Sequence, residues 1–384
     1  MKTNWQIKNI SLDWKETKLV DIGIFSKGSG ISKSELSVKG YNAIRYGEIY
    51  TRHNVYVKEI YSFISNEVVK NTKKIKYGDI LFAGSGETID EIGKSVTYLK
   101  KDDCYAGGDI IIFSPKKQNS LFLAFLLNSR TIRKDLRKLG QGQSVVHIYK
   151  KDLEKIKLLL PPLSEQNRIV AILEIWDEYL EKLSRKIEIK KDIKKGLMQR
   201  LLTGKVRLDG FSGEWESVKF SDCMRVLGKI KGEKKSDYLE KGKFPIIDQS
   251  QNKIAGYSNR NDFVNKNFPV IIFGDHTRIL KYIDFLFILG NDGTKILKEK
   301  KDNDIKYLYY YLYSIDIPNT GYNRHFKYIK DLNFEIPNPK EQTAIAKILT
   351  MADEEIEALE KKKKIVEKQK KYLLNNLITG KIRV

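Results

Sequence analysis

One 49-residue segment occurs twice in this chain, and this repeat constrains the fold more than any other feature of the sequence. Residues 160–208 align with residues 336–384 at a constant offset of 176, without a gap, and 20 of the 49 positions are identical. The identical positions include a Glu-Gln pair near the start of each copy and a Thr-Gly-Lys triplet near its end. A match of this length and register does not arise by chance, so the chain uses one architectural unit twice.

Each copy of the repeat has the apolar spacing of a long coiled-coil helix. In the first copy, apolar side chains recur at alternating steps of four and three residues, the spacing of a coiled-coil seam; they are Ile169, Leu173, Trp176, Leu180, Leu183 and Ile187. Gly204 and Gly380 follow the two apolar runs and suit a left-handed cap at the helix end. About 40 residues at 1.5 Å each make a rod of roughly 60 Å. We therefore expect two long helices that pair as an antiparallel coiled coil.

The segments outside the repeat are predicted to be two globules of mixed structure. Short apolar runs at 80–82, 110–113 and 270–273 predict strands, and residues 121–127 and 307–313 predict helices. The predicted fold class is α+β (mixed α/β). The predicted domains are a first globule at 1–159, a central helix at 160–208, a second globule at 209–335 and a C-terminal helix at 336–384.

Charge and composition limit the classes of partner. The chain has 71 Lys and Arg against 49 Asp and Glu, a net charge of +22, which indicates a polyanionic partner. The surplus is +11 in the first globule, +3 in the second and +4 in each repeat copy, so the first globule should supply more of the salt-dependent affinity. The sequence has no transmembrane-length apolar run, no signal-peptide core at its start and only two cysteines. We therefore expect no membrane protein, secreted disulfide scaffold or zinc-finger protein.

Short matches to catalytic motifs do not extend to complete sites. Residues 82–86, Phe-Ala-Gly-Ser-Gly, match the loop in which amino-methyltransferases bind S-adenosylmethionine, but the Asn/Asp-Pro-Pro-aromatic element of those enzymes is missing. Residues 93–95, Gly-Lys-Ser, lack the earlier glycine of a phosphate-binding loop. The four histidines have no spacing that suits a metal site. These patterns favour a chain that performs no bond chemistry itself.

The doubled repeat resembles the specificity subunit of type I restriction–modification enzymes. The residues that carry the resemblance are Pro-Pro-Leu-Ser-Glu-Gln at 161–166 with Leu-Leu-Thr-Gly-Lys at 201–205, Pro-Asn-Pro-Lys-Glu-Gln at 337–342 with Leu-Ile-Thr-Gly-Lys at 377–381, Gly-Asp-Ile-Leu-Phe at 78–82, and Lys-Asp-Leu at 151–153 and 330–332. The resemblance covers essentially the whole chain. One departure is Asn338, which stands where the first copy has Pro162.

The resemblance implies that each globule is a target-recognition domain for one half of a bipartite double-stranded DNA sequence. It implies that the paired helices set the spacing and dock two modification subunits, which bind S-adenosylmethionine and methylate adenine, and that a motor-nuclease subunit joins for restriction. This chain would itself be non-catalytic, hold no cofactor or metal, and act in the cytoplasm. Two alternatives stay open, namely a basic two-rod structural scaffold and a self-contained DNA methyltransferase.

Candidate DNA contacts are cationic and polar side chains in turn-like segments, because cations bind phosphates whereas amide, imidazole and hydroxyl groups read base edges. In the first globule they are Lys27, Ser29, Arg45, Arg52, His53, Gln141, Gln143, Ser144 and His147. In the second globule they are Gln249, Gln251, Asn252, His276, Thr277, Arg278, Tyr322, Asn323, Arg324 and His325. The candidates for partner docking or helix capping are Glu165, Gln166, Glu341 and Gln342.

Overall fold

A computed structural model of the chain describes residues 13–142, 145–228, 231–290, 293–321 and 323–384. Two compact units make up the fold. The first comprises Met1–Lys182 and Lys364–Val384, and the second comprises Leu183–Lys363. Each unit therefore contains one globule and a part of each long helix.

The globule of the first unit combines short strands and short helices. Its strands are β1 (Lys15–Lys18), β2 (Gly23–Lys27), β3 (Leu36–Ser37), β4 (Tyr41–Ile44), β5 (Ser62–Ile64), β6 (Lys73–Ile75), β7 (Ile80–Ala83), β8 (Ser85–Gly86), β9 (Ser95–Thr97), β10 (Cys104–Ala106), β11 (Ile110–Pro115), β12 (Val146–His147) and β13 (Lys157–Leu160). Its α-helices are α1 (Tyr46–Thr51), α2 (Asn66–Val69), α3 (Ser120–Leu127), α4 (Arg130–Lys138) and α5 (Lys150–Leu153), with 3₁₀ turns at Leu19–Ile22 and Lys33–Glu35. The long helix α6 (Leu163–Leu201) follows.

The globule of the second unit also combines short strands and short helices, but it has fewer of them. Its strands are β14 (Glu216–Lys219), β15 (Met224–Val226), β16 (Phe244–Ile247), β17 (Gly256–Ser258), β18 (Val264–Asn265), β19 (Val270–Gly274), β20 (Leu280–Ile283), β21 (Phe287–Leu289), β22 (Thr294–Glu299) and β23 (Asn333–Ile336). Its α-helices are α7 (Phe220–Cys223), α8 (Ile305–Ser314) and α9 (Lys327–Lys330), with 3₁₀ turns at Lys235–Asp237 and Asn261–Phe263, and the long helix α10 (Pro339–Leu377) closes the chain.

Each globule is built around one antiparallel four-stranded sheet. The strand order is β2-β11-β7-β9 in the first globule and β15-β22-β19-β20 in the second. A further sheet has the order β3-β5-β4-β10-β6 in the first globule, with β4 and β10 parallel, and β17-β16-β21-β18 in the second, with β16 and β21 parallel. The pair β8 and β12 is antiparallel. The structure is mixed α and β, which confirms the predicted fold class.

The uninterrupted apolar runs of the sequence are central strands that are buried on both faces. In β11, Ile110 and Ile112 belong to one core cluster, whereas Ile111 and Phe113 belong to another. In β19, Ile271 and Phe273 face one cluster and their neighbours face a second. Because successive side chains of a strand point to opposite faces, a run without polar residues is expected wherever both faces are covered.

The same two-stranded ladder frames each globule. In the first unit β1 pairs antiparallel with β13, so the start of the globule meets its end directly before α6. In the second unit β14 pairs antiparallel with β23 in the same way, directly before α10. The Trp that precedes each ladder, Trp14 or Trp215, lies against the glycine that ends a long helix, Gly380 or Gly204 respectively. The frame therefore repeats although the strands inside it differ.

The two long helices pair in opposite directions. In the first unit the N-terminal half of α6 lies with the C-terminal end of α10, and Lys370 pairs with Asp177. In the second unit Lys194 of α6 pairs with Asp353 of α10 at 2.5 Å. These two ion pairs occupy equivalent positions of the repeat. Gly204 and Gly380 have φ values of +67° and +70°, which confirms the predicted left-handed caps.

The glutamines at the helix starts are interior caps, and their predicted role in partner docking is wrong for these side chains. Gln166 is 0% exposed and Gln342 is 1% exposed. Oε1 of Gln166 accepts a hydrogen bond from Asn119 N, and Oε1 of Gln342 accepts one from Asp304 N, each at 2.9 Å. Asn119 and Asp304 are the N-caps of α3 and α8, so each glutamine fixes a globular helix to a long helix.

The glutamates beside them are also buried, and each forms an ion pair within the chain instead of docking a partner. Arg383 Nε and Nη2 donate to the two carboxylate oxygens of Glu165 at 2.5 and 2.7 Å, and Arg207 forms the same fork with Glu341 at 2.7 Å for both bonds. Each arginine lies three residues beyond the capping glycine of the opposite helix. The arginine that follows each long helix therefore pairs with the glutamate at the start of the other one.

Candidate nucleic-acid interface

Three of the predicted DNA-contacting loops of the second globule converge in the structure. Thr277 Oγ1 donates to Gln249 O at 2.8 Å, and His276 N donates to Gln249 Oε1 at 3.3 Å. The third loop joins them because His325 N donates to Asp275 O at 2.8 Å. The sequence separates these loops by up to 76 positions. The strand β19, which ends at Gly274, places them at one edge of the globule.

Glycines allow this convergence. A Cβ atom on Gly274 would lie 2.3 Å from Thr277 Oγ1 and 2.8 Å from Gln249 Cβ. Gly293, with φ of +62°, would place a Cβ 2.7 Å from both Gln249 Nε2 and His276 Cδ2. Since real Cβ atoms do not approach other atoms so closely, larger residues at either position would push the loops apart.

The side chains of these converged loops differ in exposure and in whether their polar groups are free to contact a ligand. Thr277 is exposed, whereas Gln249 and His276 are half-buried. Arg278 has a left-handed φ of +62°, and its Nη1 donates to Ile317 O at 2.8 Å. The guanidinium group of Arg278 therefore braces the loop, while the Gln249, His276 and Thr277 side chains form its polar surface. Left-handed backbone in a non-glycine residue is strained, which is typical of a functional loop.

The remaining candidates of the second globule take different positions. His325 is 0% exposed, and its Nδ1 lies 3.0 Å from Asp275 O, so it is an interior residue and the prediction that it contacts DNA is wrong. Asn323 and Arg324 are exposed beside it. Gln251 and Asn252 are exposed in the loop that follows Gln249. Tyr322 lies outside the described residues.

In the first globule, one cavity of about 610 Å³ brings Lys27 and His147 together. His147 Nδ1 lies 2.8 Å from Ser85 Oγ, and Tyr149 and Lys151 also line the cavity. Gln141 lies next to His147 because their backbones exchange two hydrogen bonds, at 2.9 and 2.7 Å. Gln143 and Ser144 lie outside the described residues. The cavity offers an imidazole, hydroxyl groups, three ammonium groups and two carboxylates to a polar ligand.

The other candidates of the first globule do not join this cavity. Ser29 Oγ donates to Asn71 O at 2.9 Å, and Arg45 lies near Glu48, with 4.0 Å between Nη2 and Oε1. Arg52 is exposed, with its guanidinium 5.4 Å from the Tyr61 ring centre. His53 is only 7% exposed, and burial lowers the pKa of its imidazole. Little of the His53 side chain is exposed, and its contact with DNA stays a prediction.

Sequence reasoning missed most of the polar residues of this cavity, among them Ser85, Tyr149 and Lys151. Ser85 lies between two glycines directly after the buried strand β7, a position that is typical of a functional turn. The sequence motif alone favoured a turn over a cofactor loop and did not mark Ser85 as a contact residue. Tyr149 and Lys151 lie within four residues of His147, so closeness in sequence to that candidate was the available signal for them.

Comparison with known proteins shows which family has this arrangement. The family model described as the type I restriction modification DNA specificity domain matches two segments of the chain, residues 11–191 and 212–368. The chain belongs to this family. It is a specificity subunit of the type I restriction–modification class with two DNA-recognition domains, which confirms the resemblance inferred from the repeat.

Relatives in this family match most of the specificity subunit. The MjaX type I restriction enzyme specificity subunit of Methanocaldococcus jannaschii is 30% identical over 420 residues, covering 99% of this chain and 96% of that protein. The MjaVIII specificity subunit of the same organism is 28% identical and covers 84% of each chain. The crystal structure of the S subunit from M. genitalium covers 98% of both chains with a TM-score of 0.61 at 16% identity, which shows the same fold.

Two further findings apply to the described residues of this specificity subunit. None of its described helices is both long enough and apolar enough to cross a membrane. The described residues also contain no group of three His, Cys, Asp or Glu side chains arranged to hold a metal ion.

Proposed function

We propose that the two recognition domains read the two halves of a bipartite DNA site, one domain to each half. The observation that carries this proposal is the repeated frame around unlike interiors. The β1–β13 and β14–β23 ladders are equivalent, whereas the polar loops that they support differ in sequence and composition. Two equivalent supports with unlike reading surfaces suit two unrelated half-sites held at a fixed spacing.

The converged loops of the second domain are proposed to read base edges. Amide groups pair with adenine edges, and hydroxyl groups can pair with any base. Gln249, His276 and Thr277 supply these groups at one exposed edge. In the first domain, His147, Ser85 and Lys151 are proposed for the same role, with Lys27 at the phosphates.

Variants in each domain test this assignment. Gln249→Ala in the second domain should weaken discrimination at one half-site by about 1–3 kcal/mol. His147→Ala in the first domain should do the same at the other half-site. Each variant is the control for the other, measured by competition between duplexes that differ in one half-site. Equal losses at both half-sites from a single variant would contradict the assignment of one domain to each half.

The paired helices are proposed to dock two modification subunits of one kind. Exposed apolar side chains recur at equivalent positions of the repeat. Ile175 and Met351 are 65% and 59% exposed, and Ile189 and Ile365 are 51% and 56% exposed. The first unit therefore presents Ile175 and Ile365, and the second presents Met351 and Ile189. Such repeated apolar positions suit two copies of the same partner.

The bond chemistry is proposed to belong to the partners. S-adenosylmethionine would bind to the modification subunits, which would methylate adenine, and a motor-nuclease subunit would join for restriction. The purified chain should then transfer no methyl group from S-adenosylmethionine to DNA and should support transfer once a modification subunit is added. Ile175→Asp/Met351→Asp should reduce that assembly more than Glu174→Ala/Glu354→Ala on the same helices. Methyl transfer by the chain alone would contradict the proposal.

A further inference from the structure

The first unit contains a cavity of about 880 Å³ that none of the proposed base-reading residues lines. On one side it is bordered by the segment from Arg52 to Tyr61 and by helices α3 and α4. On the other side it is bordered by Asp177 of α6 and by residues 370–378 at the end of α10. It is therefore built from both the recognition domain and the helix pair. Its volume lies in the range of small-ligand sites.

The equivalent place in the second unit contains tyrosines. The N-caps Asn119 and Asp304 make the same bond to equivalent glutamines, so α3 and α8 correspond, and Phe125 of α3 corresponds to Tyr310 of α8. Tyr310 donates to Asp353 Oδ2 at 2.8 Å, and its ring lies 5.3 Å from Lys194 Nζ.

In the first unit, the equivalent Lys370–Asp177 pair borders the open cavity. Phe125 has no hydroxyl group to donate to Asp177, and Asn128 stands in place of Tyr313, whose ring also lies against Lys194. The same architectural position therefore carries tyrosines beside its ion pair in one half of the molecule, and a phenylalanine and an asparagine in the other.

The charge around the opening is strongly positive. Seven Lys and Arg side chains line the cavity against two carboxylate side chains. Lys370 is neutralised by Asp177, and Arg137 pairs with Asp90 at 2.7 Å. Arg130 and Lys371 are exposed, and within the described part of the chain neither makes an ion pair. These two cations, together with the exposed Arg52 and Lys58, are available to an anionic ligand.

A buried arginine adds to the positive charge of the cavity. Arg133 is 9% exposed, and its Nη1 and Nη2 donate to the carbonyl oxygens of Ile92 and Asp90, each at 2.7 Å. Burial, followed by the nearby Arg137, lowers the pKa of Arg133 to about 10, so it stays charged at neutral pH. Burial and Arg133 also lower the pKa of Lys94. A buried cation that is bonded only to carbonyl groups favours an anion nearby.

We propose that this cavity binds phosphate groups, supplied either by a free nucleotide or by the DNA backbone outside the base-reading loops. Arg130 and Lys371 bind the phosphates at the opening, and Arg133 contributes charge from the interior. The rings of Tyr56, Tyr61 and Phe125 line the same cavity and provide stacking surface for a base. The counterpart in the other half of the molecule has Tyr310 and Tyr313 in place of Phe125 and Asn128.

The test compares two charge-matched double variants of the full chain. Arg130→Ala/Lys371→Ala removes two of the available cations of the cavity. Lys134→Ala/Lys368→Ala removes two exposed cations from the same helices, and neither of these residues lines the cavity. Calorimetric titrations use sodium triphosphate and ATP at low salt. A second series measures the affinity for a duplex carrying both half-sites as a function of salt.

If free nucleotides are the source, wild type and the control bind triphosphate and ATP, and the cavity variant binds them about ten-fold or more weakly. If the DNA backbone is the source, free nucleotides do not bind, and only the cavity variant lowers the salt slope by about 2, near 0.9 for each lost phosphate contact. Equal behaviour of the two double variants in both series would overturn the proposal. Sequence discrimination, measured on the same duplexes, reports separately on base reading.

Discussion

The buried ion pair between Arg383 and Glu165 should be a main stabilising contact of the first unit. Glu165 is 2% exposed, and both of its carboxylate oxygens accept from the Arg383 guanidinium, while Trp14 Nε1 donates to Oε2 at 3.2 Å. Replacing Arg383 by Ala leaves a buried carboxylate with one remaining donor. The contact joins the next-to-last residue of the chain to the start of α6.

The expected cost follows from burial. Removing one partner of a fully buried ion pair costs about 3–5 kcal/mol. The Arg383 side chain is 27% exposed, so water can partly replace it, and we expect about 2–3 kcal/mol. For a unit of roughly 200 residues this corresponds to a fall in Tm of about 5–10 °C. Arg383→Lys should recover part of the loss, because it restores the charge without the two-bond fork.

The assay combines calorimetry of the full chain with hydrogen exchange. Exchange should rise at the start of α6 and the end of α10 in Arg383→Ala, and at the start of α10 in the equivalent Arg207→Ala. Arg168→Ala is the matched control, since Arg168 is exposed on the same turn region of α6. If Arg383→Ala and Glu165→Gln were fully additive in the double variant, the two side chains would not be coupled and the reasoning would be refuted.

Three further predictions concern single positions. Burial lowers the pKa of His53 below its unfolded value of about 6.5, so the unfolded chain binds the proton more readily. The free energy of unfolding should therefore fall as pH drops below about 6.5. His53→Gln should flatten that decline in urea titrations at pH 7.5 and 5.5. Tyr310→Phe removes the hydroxyl group that donates to Asp353 and should cost about 0.5–1.5 kcal/mol by chemical denaturation; no loss would mean that water replaces this bond. Gly204→Ala should cost about 1–2 kcal/mol in the same measurement, because φ is +67° at that position, and an unchanged midpoint would contradict a left-handed cap.

The sequence predicted the long helices well because their signal is local and periodic. The four-three apolar spacing and the terminal glycines are properties of neighbouring residues, and the seam residues Ile169, Leu173, Leu183 and Ile187 are buried as expected. The burial of Glu165 was not predictable in this way. It depends on Arg383, which lies 218 positions away, and a carboxylate at a helix start is equally typical of an exposed cap.

The candidate DNA contacts were predictable as residue types but not as a surface. Turn-like polar segments identified Gln249, His276 and Thr277, and the structure brings them together through glycine-dependent approaches that no local pattern encodes. The same patterns could not separate surface histidines from His53 and His325, which the fold buries. The cavity beside Arg133 was not predicted, since its lining combines residues from four separate stretches of the chain.

The most direct test of the account is a selection of bound duplexes from a randomised library, carried out with the chain and a modification subunit. Two recognition domains on one repeated frame predict two short specified blocks separated by an unspecified gap of constant length. Gln249→Ala should relax one block and His147→Ala the other. A single continuous block, or enrichment without any sequence preference, would contradict the account.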